Sequence, residues 1–240
     1  MSNEKEFWID NFDKGYYDKI ILKGLALKRG LQSNWHNCTY KYVKQKISAD
    51  DLHLDYACGS GTFIGRYLYS NSIGVDISDI QIEYARQTFQ KKDKFFTVLE
   101  FESLSKKNFD IVSVLGLIEF LDENENKELL KKINNLLKEN GKIILTTPNF
   151  SFLFRFIQTL SKTLGVKDYG DVTISNFKFK NLEKLLMETG FNEIKIKKIV
   201  NLGILPSIFS HKLGLIVENL IGKIFSNCFG FILIAEAKKN

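Results

Sequence analysis

From residue 52 to the end of the chain, short apolar runs alternate with stretches of helical periodicity. Strands joined through helices must run parallel, and a parallel sheet is covered on both faces, so its strands read as near-continuous apolar runs. On this basis strands are predicted at about 52–57, 72–76, 95–99, 109–115, 142–147, 193–200 and 229–237, seven in all. Helices are predicted between them, at about 62–70, 79–90, 123–139, 150–164, 178–189 and 212–226. Asn140-Gly141 and Gly190 supply helix stops that tolerate a left-handed backbone. One crossover separates the last two runs, and the final strand is expected to be antiparallel. The fold class is α/β: a seven-stranded, mostly parallel sheet with helices on both faces.

A chain of 240 residues with no Pro- or Ser-rich linker suits one core of this kind. Residues 1–50 read as a helical leader or lid, with apolar Tyr17, Ile20, Ile21 and Leu25 at helical spacing inside Tyr16–Leu27. Residues 51–240 form the sheet domain, with insertions at about 150–176 and 201–227. Cys38, Cys58 and Cys228 make no C-x-x-C pair or disulfide framework, the N-terminus lacks the order of a signal peptide, and no run is long enough to span a membrane. A soluble, cytoplasmic protein is expected. The net charge of +6 lies wholly after residue 150. It is spread over several segments, which disfavours nucleic acid as partner and leaves an anionic small molecule or an acidic membrane surface.

The most informative local sequence is Leu54-Asp55-Tyr56-Ala57-Cys58-Gly59-Ser60-Gly61-Thr62, a strand entering a glycine turn and then a helix. Gly59 and Gly61 allow unusual backbone angles and let a nucleotide-like ligand approach bare backbone. A dinucleotide G-x-G-x-x-G would need glycine at 64, where the chain has Ile64.

Together with Ile73-Gly74-Val75-Asp76-Ile77-Ser78, this wording resembles the first two motifs of the class I, Rossmann-like S-adenosylmethionine-dependent methyltransferases, and the resemblance runs from about residue 50 to 236. It implies that S-adenosyl-L-methionine is the cofactor and that Asp55, Ala57, Gly59, Gly61, Asp76, Ile77, Glu100, Phe101, Leu115 and Gly116 surround it. Asp76 would accept from both ribose hydroxyls, as a carboxylate can. Glu100 and the Phe101 amide would meet the adenine, Leu115 and Gly116 the amino end, and Asp55 the positively charged end. Many members carry Glu-His where this chain has Glu119-Phe120, so a histidine base is missing from that place.

The resemblance further implies direct methyl displacement onto a small molecule. A base is needed only if the acceptor loses a proton early, and Glu119, His211 and Tyr169 are the candidates. The three histidines stand apart from any metal-ligand pattern. Apolar crowding after the fifth strand, from Phe150 to Leu160, and at Leu202–Phe209 and Leu213–Phe225 points to a lipophilic or lipid-linked acceptor, with Arg155 and nearby lysines suiting an anionic group. A glycan or natural-product precursor is the polar alternative. Two rival readings are an NAD(P)-dependent oxidoreductase on a related fold and a non-catalytic S-adenosylmethionine-binding module. The oligomeric state is not legible.

Overall fold

The computed structural model describes residues 12–100, 104, 108–150, 172–199, 202–224 and 230–240, the side chains of 221–224 excepted. Two helices, α1 (Tyr16–Leu27) and α2 (Leu31–Lys44), precede the sheet. Then come β1 (Leu52–Tyr56), α3 (Thr62–Tyr67), β2 (Asn71–Asp76), α4 (Asp79–Phe89), β3 (Lys94–Val98) and β4 (Phe109–Leu115). A short 3-10 turn at Ile118–Phe120 leads to α5 (Glu123–Leu136), β5 (Leu137–Pro148), α6 (Phe179–Glu188) and β6 (Phe191–Ile199). Two further 3-10 turns, Leu202–Ile204 and Pro206–Ile208, precede α7 (His211–Ile224) and β7 (Ile232–Lys239).

All seven expected strands form one sheet in the order β3-β2-β1-β4-β5-β7-β6. β1 to β5 are mutually parallel, and β7 runs antiparallel to both β5 and β6, as the single closing crossover suggested. Leu54, Val75, Val112 and Leu145 fill one face of the sheet, and Ile111, Ile144 and Ile234 pack with Ile64, Ile82 and Phe96 on the other. Burial on both faces explains why these strands read as apolar runs.

Three expectations shift. α5 ends at Leu136, because Leu137 already pairs with Phe109; the ladder then skips to Ile111 and Lys142, with Asn140 left-handed (φ 61) in the bulge. β7 begins at Ile232, not near 229. The leader contains a second helix, α2, beyond the one its periodicity indicates. The helix expected over 150–164 lies outside the described residues, apart from its first position.

Candidate active site at the head of the sheet

The chain runs from β1 outward to β2 and β3 on one side, then returns to β4 on the other. Loops leaving the carboxyl ends of β1 and β4 therefore diverge, and in open α/β sheets such a switch point is where ligands bind. Residues 57–61, Asp76 and Gly116 all lie at these ends.

The turn after β1 is built from left-handed residues: Ala57 (φ 63), Gly59 (φ 52) and Gly61 (φ 70). The two glycines serve different needs. A Cβ on Gly61 would stand 2.6 Å from the Phe96 ring and 2.8 Å from the Ala85 methyl, so its bareness lets α3 start tight against α4 and β3. A Cβ on Gly59 would meet only the Tyr17 ring, at an ordinary contact distance of 3.7 Å, so its left-handed backbone is not crowded by the fold. Ala57 holds the same left-handed geometry with a side chain, which costs about 1 kcal/mol or more and recurs at ligand-binding turns.

Asp76 ties this turn to the next strand. Its Oδ2 accepts from the Gly59 amide at 2.7 Å and its Oδ1 from the Ser78 amide at 2.9 Å. Burial pushes its pKa up, opposed by these backbone bonds. Each oxygen still has acceptor capacity, since a carboxylate offers about four lone-pair sites. Ile77 beside it is exposed although apolar, and Leu99 donates its amide to the Asp76 carbonyl, bringing the exposed Glu100 near the same rim.

Asp55 is buried below the turn. One of its oxygens accepts from the Ser113 hydroxyl on β4, whose oxygen pairs at 2.8 Å with His53 Nε2; His53 Nδ1 pairs in turn with Ser72 on β2 at 3.1 Å. A polar relay thus crosses three strands inside the sheet, where each group is satisfied by its neighbour. Burial raises the Asp55 pKa to about 7 and lowers that of His53 to about 3.

At the ends of β4 and β5, Leu115 is half-buried and Gly116 (φ 71) donates to the Thr146 carbonyl at 3.1 Å. Glu119, 4% exposed, lies beneath Gly116, with Oε1 3.6 Å from where a Gly116 Cβ would stand. Its Oε2 makes no well-formed hydrogen bond among the described residues, but the buried Thr147 hydroxyl lies near enough to favour the charged form of Glu119. Burial lifts the Glu119 pKa to about 8. Its carbonyl receives the Ile174 and Ser175 amides, both at 2.9 Å.

Sequence reasoning missed the leader's part in this region. Tyr17 of α1 covers Gly59, and Tyr17, His36, Tyr40 and Phe63 form a chain of ring contacts toward His53. On the sequence Tyr17 registered only as one apolar position of a helix. Among the proposed bases, His211 is placed elsewhere: its amide donates to the Lys28 carbonyl and its Nε2 lies 3.3 Å from both Ser33 Oγ and the Gly30 carbonyl, in the joint between α7 and the α1–α2 turn. Phe101 and Tyr169 lie outside the described residues.

Comparison with known proteins agrees with this geometry. Residues 54–145 match the methyltransferase-domain family. An uncharacterised protein of Methanocaldococcus jannaschii is 27% identical over 150 residues, 62% of this chain but 57% of its own length. A tRNA (guanine-N(7)-)-methyltransferase of Clostridium botulinum is 26% identical over 185 residues, covering 65% of this chain and 83% of that protein. The crystal structure of an S-adenosylmethionine-dependent methyltransferase from Archaeoglobus fulgidus superposes with a TM-score of 0.59 at 21% identity, over 83% of this chain and 94% of that one. Residues 54–145 thus match a methyltransferase-domain family, and the sheet order with its glycine turn is the fold shared with the Archaeoglobus fulgidus methyltransferase.

Proposed function

We propose that this protein methylates a small-molecule acceptor with S-adenosylmethionine, and that the acceptor is lipophilic or lipid-linked. The observation that carries the reading is the uncrowded, left-handed backbone of Gly59 directly beside the Asp76 carboxylate at the switch point, under the Tyr17 ring. The residues present fit an adenosyl sulfonium: bare backbone where it must press close, and a carboxylate with spare acceptor sites one strand away.

When bound, S-adenosylmethionine supplies an electrophilic methyl group on a positively charged sulfur. Asp76 accepts from the ribose hydroxyls while keeping its bonds to Gly59 and Ser78. Ile77 and Glu100 would border the adenine. Asp55 and Ala57 would neighbour the cofactor's positive end, and Leu115 and Gly116 would offer backbone groups to the amino end. Tyr17 closes the turn against water. The protein's main contribution is alignment and exclusion of water, which can lower a barrier by roughly 7–11 kcal/mol. Glu119, buried next to Gly116 and the Thr147 hydroxyl, takes the acceptor's proton when the acceptor is a hydroxyl; a pKa of about 8 is within reach of that task near neutral pH.

Titration calorimetry with S-adenosylmethionine and its demethylated product tests the reading. Binding is expected, and Asp76→Ala should weaken it by about 1.5–3 kcal/mol, the scale of hydrogen bonds to a charged group. No binding at millimolar ligand, or wild-type affinity in Asp76→Ala, would remove it. The Clostridium botulinum relative supports a second reading, with a tRNA acceptor. Radiolabelled methyl transfer separates the two: label appearing in organic-extractable material favours the first, and label in added bulk tRNA the second.

A further inference from the structure

Of the fifteen large apolar side chains exposed among the described residues, seven lie on the neighbouring helices α1 and α7 and an eighth, Phe209, just before α7. Single exposed apolar residues are ordinary, but a concentration of this kind marks an interaction surface. Leu22, Leu25 and Leu27 stand on the C-terminal half of α1. Phe209, 77% exposed, precedes α7, where Leu213, Ile216 and Leu220 follow at spacings of three and four, on one side of the helix. α7 turns a different side inward: Gly214 packs against Gly203 and Ser207, and Glu218 accepts from the Gly203 amide.

The two elements meet at a joint. The His211 amide donates to the Lys28 carbonyl at 2.8 Å, and the Gly30 amide to the Ser207 carbonyl at 2.8 Å. The exposed charge around that joint has one sign. Lys19, Lys23, Lys28, Arg29 and Lys212 are all exposed, whereas the acids of the same elements are turned away: Asp18 is fully buried against Arg66, and Glu218 is half-buried. An apolar strip edged by cations suits an interface between acyl chains and anionic headgroups. It suits a second copy of the chain poorly, because a two-fold contact would set these cations against their own copies. A groove of mixed character, lined by Tyr42, Lys198, Ile199, Ile204, Leu215 and Glu218, runs along another side of the same helix. At its other end α1 carries Tyr17 over Gly59, so one helix of twelve residues, about 18 Å long, links the strip to the glycine turn.

We infer that this surface, from Leu22 to Arg29 and from Phe209 through Leu220, docks the protein on an anionic lipid membrane. The inference rests on the proposed function only for its purpose, which is to bring the cleft to a lipid-embedded acceptor; the surface itself is independent of the cofactor.

Flotation of the full chain with vesicles tests it. Vesicles of phosphatidylcholine containing one third phosphatidylglycerol should carry the protein up the gradient, and pure phosphatidylcholine vesicles should not. Leu213→Asp with Leu220→Asp should abolish flotation. Lys23→Gln, Lys28→Gln and Arg29→Gln together should lower partitioning roughly 100-fold, at about 1 kcal/mol for each cation near the surface. Calorimetry with S-adenosylhomocysteine on the same variants should return wild-type affinity, which also reports that they fold. Wild-type protein that stays down with acidic vesicles, or either variant floating like wild type, overturns the inference. So does a concentration-dependent dimer that Leu213→Asp with Leu220→Asp dissolves. Flotation without any S-adenosylhomocysteine binding would leave the docking surface standing and fell the proposed function instead.

Discussion

Asp55 and Glu119 are carboxyl groups buried at the head of the sheet, and their titration fixes how stability depends on pH. In the folded chain their pKa values are raised to about 7 and about 8, from ordinary values of 3.8 and 4.5. An acid whose folded pKa is raised holds its proton longer folded than unfolded, so its stabilisation is complete below the unfolded pKa and is lost as pH rises toward the folded one. His53 and His36 act in the opposite sense: burial lowers them to about 3 and about 4, so they add stability as pH rises to 6.5 and nothing more above it. Below pH 6.5 the two effects offset each other; above it the acids act alone. Cofactor-free protein should therefore lose stability between pH 6.5 and 8, with Glu119 contributing on the order of 2 kcal/mol at about 1.4 kcal/mol per pH unit and proton. Urea unfolding at the two pH values checks this. Glu119→Gln should show a much smaller fall, and an equal fall in both proteins would contradict the assignment.

At the scale of elements, the leader is held on the sheet domain by a few buried polar contacts. Asp18 of α1 receives Arg66 of α3 in two bonds of 2.6 and 2.7 Å and the Tyr84 hydroxyl of α4 at 2.8 Å. Gln81 of α4 accepts from the Gly15 amide and donates to the Asp13 carbonyl. Breaking a buried pair by removing one partner costs about 3–5 kcal/mol, and less when, as for Arg66, one side reaches solvent. Asp18→Ala should thus cost about 2–3 kcal/mol in unfolding free energy and raise the hydrogen exchange of α1 before that of β1. Unchanged exchange in α1 would show that the ion pair does not hold the leader. This anchoring was hidden in the sequence for a physical reason. α2 buries Ser33, Asn37 and Thr39 along with Val43, so its inner face carries no apolar period. Lys94 misleads in the same way: it is buried, and its ammonium donates to the Ile64, Gly65 and Leu68 carbonyls at the end of α3, where a lysine in an edge strand reads as exposed. The central strands were legible because two covered faces favour apolar residues on both, and the turn because Gly59 and Gly61 occupy left-handed geometry.

Across the whole molecule, the order of strands turns a local motif into a cleft. Asp55 and Ser113, distant in sequence, lie side by side because β1 and β4 pair. The motif residues up to Gly116 were named through the family resemblance, and the described ones among them lie at or next to the carboxyl ends of strands. The contribution of Tyr17 could not be named that way, because it depends on how α1 crosses the turn. The outer strand β6 exposes Lys195 and Lys197, which keep that edge from pairing with another sheet, while the apolar exposure gathers on the helices α1 and α7. The central claim is that the Gly59 backbone and the Asp76 carboxylate together hold an adenosyl group at the switch point between β1 and β4. A crystal structure with S-adenosylhomocysteine tests it most directly. The account predicts ribose hydroxyls on Asp76 and ligand packed against Gly59; a ligand bound elsewhere, or an Asp76 that keeps only its Gly59 and Ser78 bonds beside a bound nucleoside, would contradict it.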